Sequence, residues 1–109
     1  MAQELQEQVK HALREQSFRV ATLEQLQKDF QRCGLELTSI DLSELISSIT
    51  SCITHVSSTQ LQQLIYLVDI PESLFLSMSR KPTFHRELSE AILMREALKV
   101  YLRTKFRAQ

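Results

Sequence analysis

The chain has 109 residues, of which 43% are hydrophobic, and this length and composition predict one folded domain spanning residues 1–109. It contains one Gly and two Pro, which argues against a sheet-rich fold because tight turns between strands use those residues. The formal net charge is zero, but the part from residue 79 onward has eight Lys or Arg against three Glu, a net of +5, so residues 1–78 carry −5. This split indicates either an anionic partner or attraction between the two halves of the fold or of two copies.

The N-terminal stretch is polar and periodic, without the charged start and apolar run of a secretory signal. No window approaches 18 uninterrupted apolar residues, so we expect no membrane span. The two cysteines, Cys33 and Cys52, are too few for a disulfide framework. These features predict a cytoplasmic protein with reduced thiols.

The first predicted helix covers about residues 3–16. Its apolar residues Leu5, Val9 and Leu13 recur at the i, i+4, i+8 spacing of one helix face. This spacing predicts a helix that is buried along one side only, with charged residues on the other side.

The second helix is predicted to open at Thr22, because Gln25 stands three residues later and the two make a capping box. Gly34 is placed to end it in the left-handed conformation that glycine adopts most easily. Leu35 is then expected to contact Phe30 one turn back, as it does at a Schellman helix end.

The third helix is predicted to open at Asp41, with Glu44 completing a second capping box. One face of this helix is apolar, whereas the other carries hydroxyl groups and no charge after Glu44. An uncharged hydroxyl face allows close approach by another helix, so it is either a solvent face or a protein-contact face. The candidate contact residues are Ser43, Ser47, Ser51 and Thr54.

The fourth helix is predicted to open at Ser57, with Gln60 as its capping-box partner. Beyond it, Asp69 and Glu72 lie in an otherwise apolar stretch and invite interpretation as an acid–base pair. A capping interpretation is simpler: Asp69 is the N-cap of a fifth helix, Pro71 occupies its first turn and Glu72 reaches back. We therefore expect both acids to be structural.

The pair of helices at about 57–79 also resembles a helix-turn-helix. The apolar residues at the offsets of the motif's core are Leu64, Val68, Ile70, Phe75 and Met78. Two positions depart from the pattern: Asp69 stands where the turn often has Gly, and Ile65 stands where a small residue is usual. The second helix would present Glu72, Ser73, Leu74 and Ser77, and so none of the Arg, Lys, Asn or Gln side chains that usually read base edges.

The last predicted helix, about residues 84–106, is the longest. Its apolar residues cover a little over half of its circumference, so it is either central to the fold or shared with a second subunit. Arg95, Lys99 and Arg103 form one basic stripe at i, i+4, i+8, which Arg107 continues. This stripe is either a solvated face near a helix C-terminus or a candidate surface for nucleic acid or an acidic protein.

Other chemistry has little support in the sequence. Cys52 and His55 are the single pair of metal-ligand type at useful spacing, and a zinc site normally needs four ligands. With one glycine, Gly34, the chain has no phosphate-binding loop and no dinucleotide fingerprint. We expect no metal, no cofactor and no small-molecule substrate.

Together these patterns predict an all-α fold, a compact bundle of five to six helices with short loops and a long central C-terminal helix. The function they favour is that of a small non-catalytic cytoplasmic interaction or scaffolding protein, self-associating through helix faces as a homo-oligomer. The alternative is a nucleic-acid-associated protein that uses the basic C-terminal helix together with the helix-turn-helix-like pair at about 57–79.

Overall fold

The computed structural model of the chain describes residues 3–37 and 44–107. Within these ranges the chain forms helices and no strand. The six helices are α1 Gln3–Ala12, α2 Gln16–Arg32, α3 Leu45–Thr54, α4 Ser58–Val68, α5 Glu72–Ser79 and α6 Phe84–Arg107. The predicted all-α bundle with a long C-terminal helix is confirmed.

Helix α6 is the centre of the bundle, as predicted, because it contacts each of the other five helices. Its residues Leu88 and Ile92 are fully buried in the main core, which also contains Phe30 of α2 and Ile49 of α3. The radius of gyration is 13.5 Å, close to the value of about 13 Å for a compact chain of this length. The wide apolar arc of α6 thus packs against the other helices of the same chain.

A second, smaller apolar cluster joins α1 to the later part of α6. Val9 of α1 is fully buried against Ala97 and Leu98 of α6. The turn between α1 and α2 is tied down by Arg19, whose guanidinium donates to the carbonyl oxygens of Leu13 and Arg14 at 2.9 Å. The predicted one-sided burial of α1 follows from this arrangement.

The beginning of α2 differs from the prediction. The helix starts at Gln16, six residues before Thr22, which lies inside the helix and is fully buried. The Thr22 hydroxyl donates to the Phe18 carbonyl at 2.9 Å, a bond that threonine makes within a helix. The prediction that Thr22 caps α2 is therefore wrong, because its hydroxyl bonds to a carbonyl one turn earlier in the same helix.

The end of α2 is as predicted. Gly34 has a φ of +73°, in the left-handed region. The Leu35 amide donates to the Phe30 carbonyl at 2.9 Å, and the Gly34 amide donates to the Gln31 carbonyl at 3.0 Å. These two bonds define a Schellman end, and Leu35 packs on the same core as Phe30.

Helix α3 begins at Leu45, with Glu44 directly before it as a residue that makes no side-chain capping bond. The predicted capping box pairs Glu44 with Asp41, so it depends on a residue that the structure does not describe. Asp41 and Ser43 lie outside the described residues. The helix is anchored from the other side, where Leu45, Ile49 and Ile53 enter the main core.

Helix α4 begins as predicted, at a complete capping box. The Ser57 hydroxyl accepts from the Gln60 amide at 3.2 Å, and the Gln60 side chain accepts from the Ser57 amide at 3.3 Å. The side-chain NH₂ group of Gln60 donates to the backbone carbonyl of Cys33 at 3.4 Å. The cap thus also joins α4 to the end of α2.

We expect Ser57→Ala to lower the free energy of unfolding by about 0.5–2 kcal/mol, because it removes an N-cap hydroxyl. Urea unfolding followed by circular dichroism measures the loss. The matched control is Ser58→Ala, which removes a neighbouring hydroxyl that caps nothing and should change the free energy by less than about 0.5 kcal/mol. Equal effects of the two substitutions would contradict the capping role of Ser57.

The junction between α4 and α5 also differs from the prediction. Asp69 is the left-handed residue that ends α4, with a φ of +68°. The Ile70 amide donates to the Ile65 carbonyl at 3.0 Å, so this is a second Schellman end. Pro71 precedes α5 without a side-chain cap, so Asp69 and Glu72 do not form the predicted capping box. Asp69 ends one helix without starting the next.

Candidate interaction surfaces

Three of the four residues of the predicted basic stripe bond to other helices of the same chain. Arg95 donates to the Asp69 carboxylate at 2.6 Å and thereby holds the α4–α5 junction against α6. Arg103 donates to Gln25 on α2 at 3.0 Å. Both contacts are made by side chains that the sequence places on one face of α6, and this face lies along the seam with α2 and α4.

Lys99, in the middle of the stripe, has the most contacts. Its ammonium group donates to Glu96 at 2.8 Å, to Asp29 at 3.1 Å and to the Leu67 carbonyl at 2.9 Å. An ammonium has three hydrogens to donate, so all of its donors are used. The Leu67 carbonyl belongs to the last turn of α4 and has no partner within that helix. Lys99 therefore joins α2, α4 and α6.

The two carboxyls beside Lys99 have opposite pKa shifts. Burial raises the pKa of Glu96 to about 8, and a hydrogen bond with Asp29 adds to the rise, against the lowering effect of Lys99. Burial also acts to raise the pKa of Asp29, but hydrogen bonds from Glu96, Lys99 and Gln25 outweigh it and lower the pKa. Glu96 therefore carries a proton at neutral pH, which it shares with the ionised Asp29. One Glu96 oxygen otherwise has no partner in the described part of the chain.

A buried acid with a raised pKa beside a lysine is a combination that enzymes use. Here Glu96 is fully buried, Asp29 is 3% exposed, and only Lys99 of the three reaches solvent, with a side chain 34% exposed. The ammonium of Lys99 and the ionised Asp29 form an ion pair between α6 and α2, and the protonated Glu96 is hydrogen-bonded to both.

The hydroxyl residues of α3 lie partly on the protein surface and partly against α6. Ser47, Ser51 and Thr54 are exposed, so they are accessible to a partner. Thr50 of the same helix faces inward instead, and its hydroxyl lies 2.7 Å from that of the fully buried Ser89 on α6. The small hydroxyl residues thus allow a close approach by α6 inside the fold, from the side of α3 that faces the core.

An exposed apolar groove lies along α4 and α5, and we call it the α4–α5 groove. It has a cavity volume of about 400 Å³. Its apolar lining residues are Ile65, Tyr66, Ile70, Phe75 and Leu76, and its polar ones are Gln62 and Glu72. Tyr66 is 85% exposed and Leu76 is 56% exposed. No Lys, Arg or His lines the groove.

The groove has a fixed position relative to α6. The ring of Phe75 contacts that of Phe84 edge to face, with centroids 5.6 Å apart. Phe84 is the first residue of α6, so the groove lies beside the start of that helix. A second cavity of about 380 Å³, which includes Asp69, shares Ile65, Tyr66 and Ile70 with the groove. The exposed ring of Tyr66 thus lines both cavities.

At the far end of α6, residues 103–107 are all exposed, and we call them the α6 end. Phe106 is 68% exposed there. Lys105 lies 5.9 Å from the centre of the Tyr101 ring, and Arg107 makes no ion pair within residues 3–37 and 44–107. Of the predicted basic stripe, Arg107 alone has neither an ion pair nor a side-chain hydrogen bond within those ranges.

The structure supports the turn of the helix-turn-helix alternative but not DNA binding by its second helix. Asp69 does adopt the left-handed conformation that the turn position requires. The predicted Glu72, Ser73, Leu74 and Ser77 of the second helix are exposed, and the exposed residues of this helix bring a carboxylate and no cation. Such a surface has nothing to neutralise phosphates.

No helix in the described ranges is long and apolar enough to cross a membrane. The same residues contain no group of three or more His, Cys, Asp or Glu side chains arranged to hold a metal ion. Comparisons with protein-family models, with curated proteins and with solved structures find no match. The class that the fold defines is therefore the small all-α bundle, and function has to be argued from its surfaces.

Proposed function

We propose that this protein is a small non-catalytic interaction protein that self-associates through the α4–α5 groove. The single observation that carries the proposal is the exposure of Tyr66, Leu76 and their apolar neighbours in one concave surface. Contiguous exposed apolar surface on a small protein marks an interaction site, and aromatic residues supply much of the binding energy at such sites.

Two further features favour a non-catalytic protein. Burial raises the pKa of the Cys52 thiol, and burial together with the nearby Asp29 charge raises that of Cys33. Both thiols then stay protonated at neutral pH and are poor nucleophiles. They are not joined to each other, which supports the proposal of a reducing compartment such as the cytoplasm.

Nucleic-acid binding, the alternative from the sequence, has less support. Arg95, Lys99 and Arg103 are held by Asp69, Asp29, Glu96 and Gln25. A phosphate would have to displace these contacts before it could pair with the stripe. The acidic rim of the groove, Glu72, would repel phosphates as well. A protein partner for the groove is therefore the better proposal.

Sedimentation equilibrium of the full chain tests this function. We expect a dimer at concentrations of about 10–100 micromolar, and we expect the double variant Tyr66→Ser/Leu76→Ser to associate at least about tenfold more weakly, because truncating buried anchors at an interface costs that much or more. Both side chains are exposed in the monomer, so the variant should fold normally by circular dichroism.

The matched control is Ser51→Glu, which places a charge on the exposed hydroxyl face of α3. It should leave the association unchanged if the groove is the contact surface. Loss of the dimer in Ser51→Glu, with the groove variant unaffected, would transfer the contact to α3. A wild-type chain that stays monomeric throughout this range would overturn the proposed function.

A further inference from the structure

The α4–α5 groove has a definite chemical preference. Its walls are apolar, and its one charged lining residue is Glu72, which has no ion pair among residues 3–37 and 44–107. No Lys or Arg occurs in the sequence between Arg32 and Arg80, so α4 and α5, which form the groove, contribute no cation to it. A ligand that fits it offers an apolar group next to a cation.

The same chain carries such a group at the α6 end. Phe106 is 68% exposed and stands between Lys105 and Arg107 in the sequence. A large aromatic side chain left in water beside two cations complements a groove with apolar walls and an acidic rim. The α6 end thus carries two cations, and the α4–α5 groove carries the carboxylate of Glu72.

The α6 end cannot fill the groove of its own chain. Phe75 of the groove contacts Phe84, whereas Phe106 lies 22 residues further along one continuous helix. At a rise of about 1.5 Å per residue this is about 33 Å along the axis. The α6 end is therefore available to another molecule only.

We propose that the groove of one copy receives the α6 end of a second copy, an inference that rests on the proposed function and specifies its contact. Phe106 of the second copy packs against Tyr66 and Leu76, and Lys105 or Arg107 pairs with Glu72. Because the groove lies at the start of α6 and Phe106 at its end, two copies with antiparallel α6 helices make both contacts at once. Such a reciprocal arrangement has two-fold symmetry and closes as a dimer.

Sedimentation equilibrium of single variants tests the contact. We expect Phe106→Ser and Tyr66→Ser each to weaken dimerisation by about tenfold or more. The control is Val20→Ser, which removes a partly exposed apolar residue from α2 and should leave the dimer unchanged. An equimolar mixture of Phe106→Ser and Tyr66→Ser should associate more strongly than either variant alone, because the mixed dimer retains one intact groove with one intact α6 end.

The results separate this inference from the proposed function. If Tyr66→Ser dissociates the dimer and Phe106→Ser does not, the groove is the contact surface but its occupant is not the α6 end. If both variants dimerise like the wild type, the proposed function is overturned as well. Mixing that restores no association would overturn the reciprocal arrangement.

A charge exchange tests the ionic part of the contact. Glu72→Lys should weaken the dimer by repelling Lys105 and Arg107, and the double variant Glu72→Lys/Arg107→Glu should recover part of the association. The wild-type dimer should weaken as salt screens the pair, while the apolar contact persists. A double variant that associates no better than Glu72→Lys would contradict the pairing of Arg107 with Glu72.

Discussion

Phe30→Ala will lower the free energy of unfolding by about 3–5 kcal/mol, the usual range for removing a buried phenylalanine. Phe30 is fully buried in the main core, among residues of α2, α3, α4 and α6. Its carbonyl also accepts the amide of Leu35 at the Schellman end of α2. The backbone bond survives the substitution, so the loss reports the side-chain packing alone. Urea unfolding followed by circular dichroism gives the value.

The matched control lies on the same helix. Val20 of α2 is 37% exposed, and Val20→Ala should cost less than about 1 kcal/mol because little apolar surface is lost from the core. A loss of less than about 1 kcal/mol for Phe30→Ala would contradict its place in the core. Since a domain of this size is stable by only about 5–15 kcal/mol, the expected loss is a large part of the total.

The sequence predicted well those features whose cause lies within one turn of helix. Ser57 and Gln60 are three residues apart, and their reciprocal bonds need nothing from the rest of the fold. Gly34 ends α2 because a glycine reaches a positive φ without steric cost. Such signals survive tertiary packing because the groups that make them are already neighbours.

The same kind of signal misled at Thr22. Threonine followed by glutamine three residues later fits a capping box, but a threonine inside a helix can instead donate to the carbonyl four residues back. The sequence alone does not decide between the two. Asp69 was misassigned for a related reason, since both an N-cap and a left-handed C-terminal residue suit aspartate.

The role of the basic stripe depended on partners far away in the sequence. Lys99 bonds to Asp29, 70 residues earlier, and Arg95 bonds to Asp69, 26 residues earlier. Periodicity placed these cations on one face of α6 but did not say what that face touches. The α4–α5 groove escaped prediction likewise, because its exposure depends on which sides of α4 and α5 pack on α6.

Glu96→Gln will flatten the pH dependence of stability between about pH 5 and 8. The pKa of Glu96 is raised from 4.5 to about 8 in the folded chain, so the folded state holds a proton that the unfolded state releases. The free energy of unfolding therefore falls as pH rises through this window and stops falling, as far as this group is concerned, above about pH 8. At about 1.4 kcal/mol per pH unit the total is on the order of 4 kcal/mol.

Glutamine imitates the protonated acid, since its carbonyl accepts from Lys99 and its amide donates to Asp29, while it has no proton to lose. The variant should match the wild type near pH 5 and be more stable at pH 8, as measured by urea unfolding at both values.

Glu90→Gln is the control: Glu90 is exposed and pairs with Arg86 on the same helix, so this change should leave the pH dependence of stability as it is. Asp29, whose pKa is lowered, acts in the opposite sense and loses its contribution only in acid, below about pH 4. A wild-type slope retained in Glu96→Gln would mean that Glu96 is already ionised at neutral pH, and Lys99 would then balance two buried negative charges.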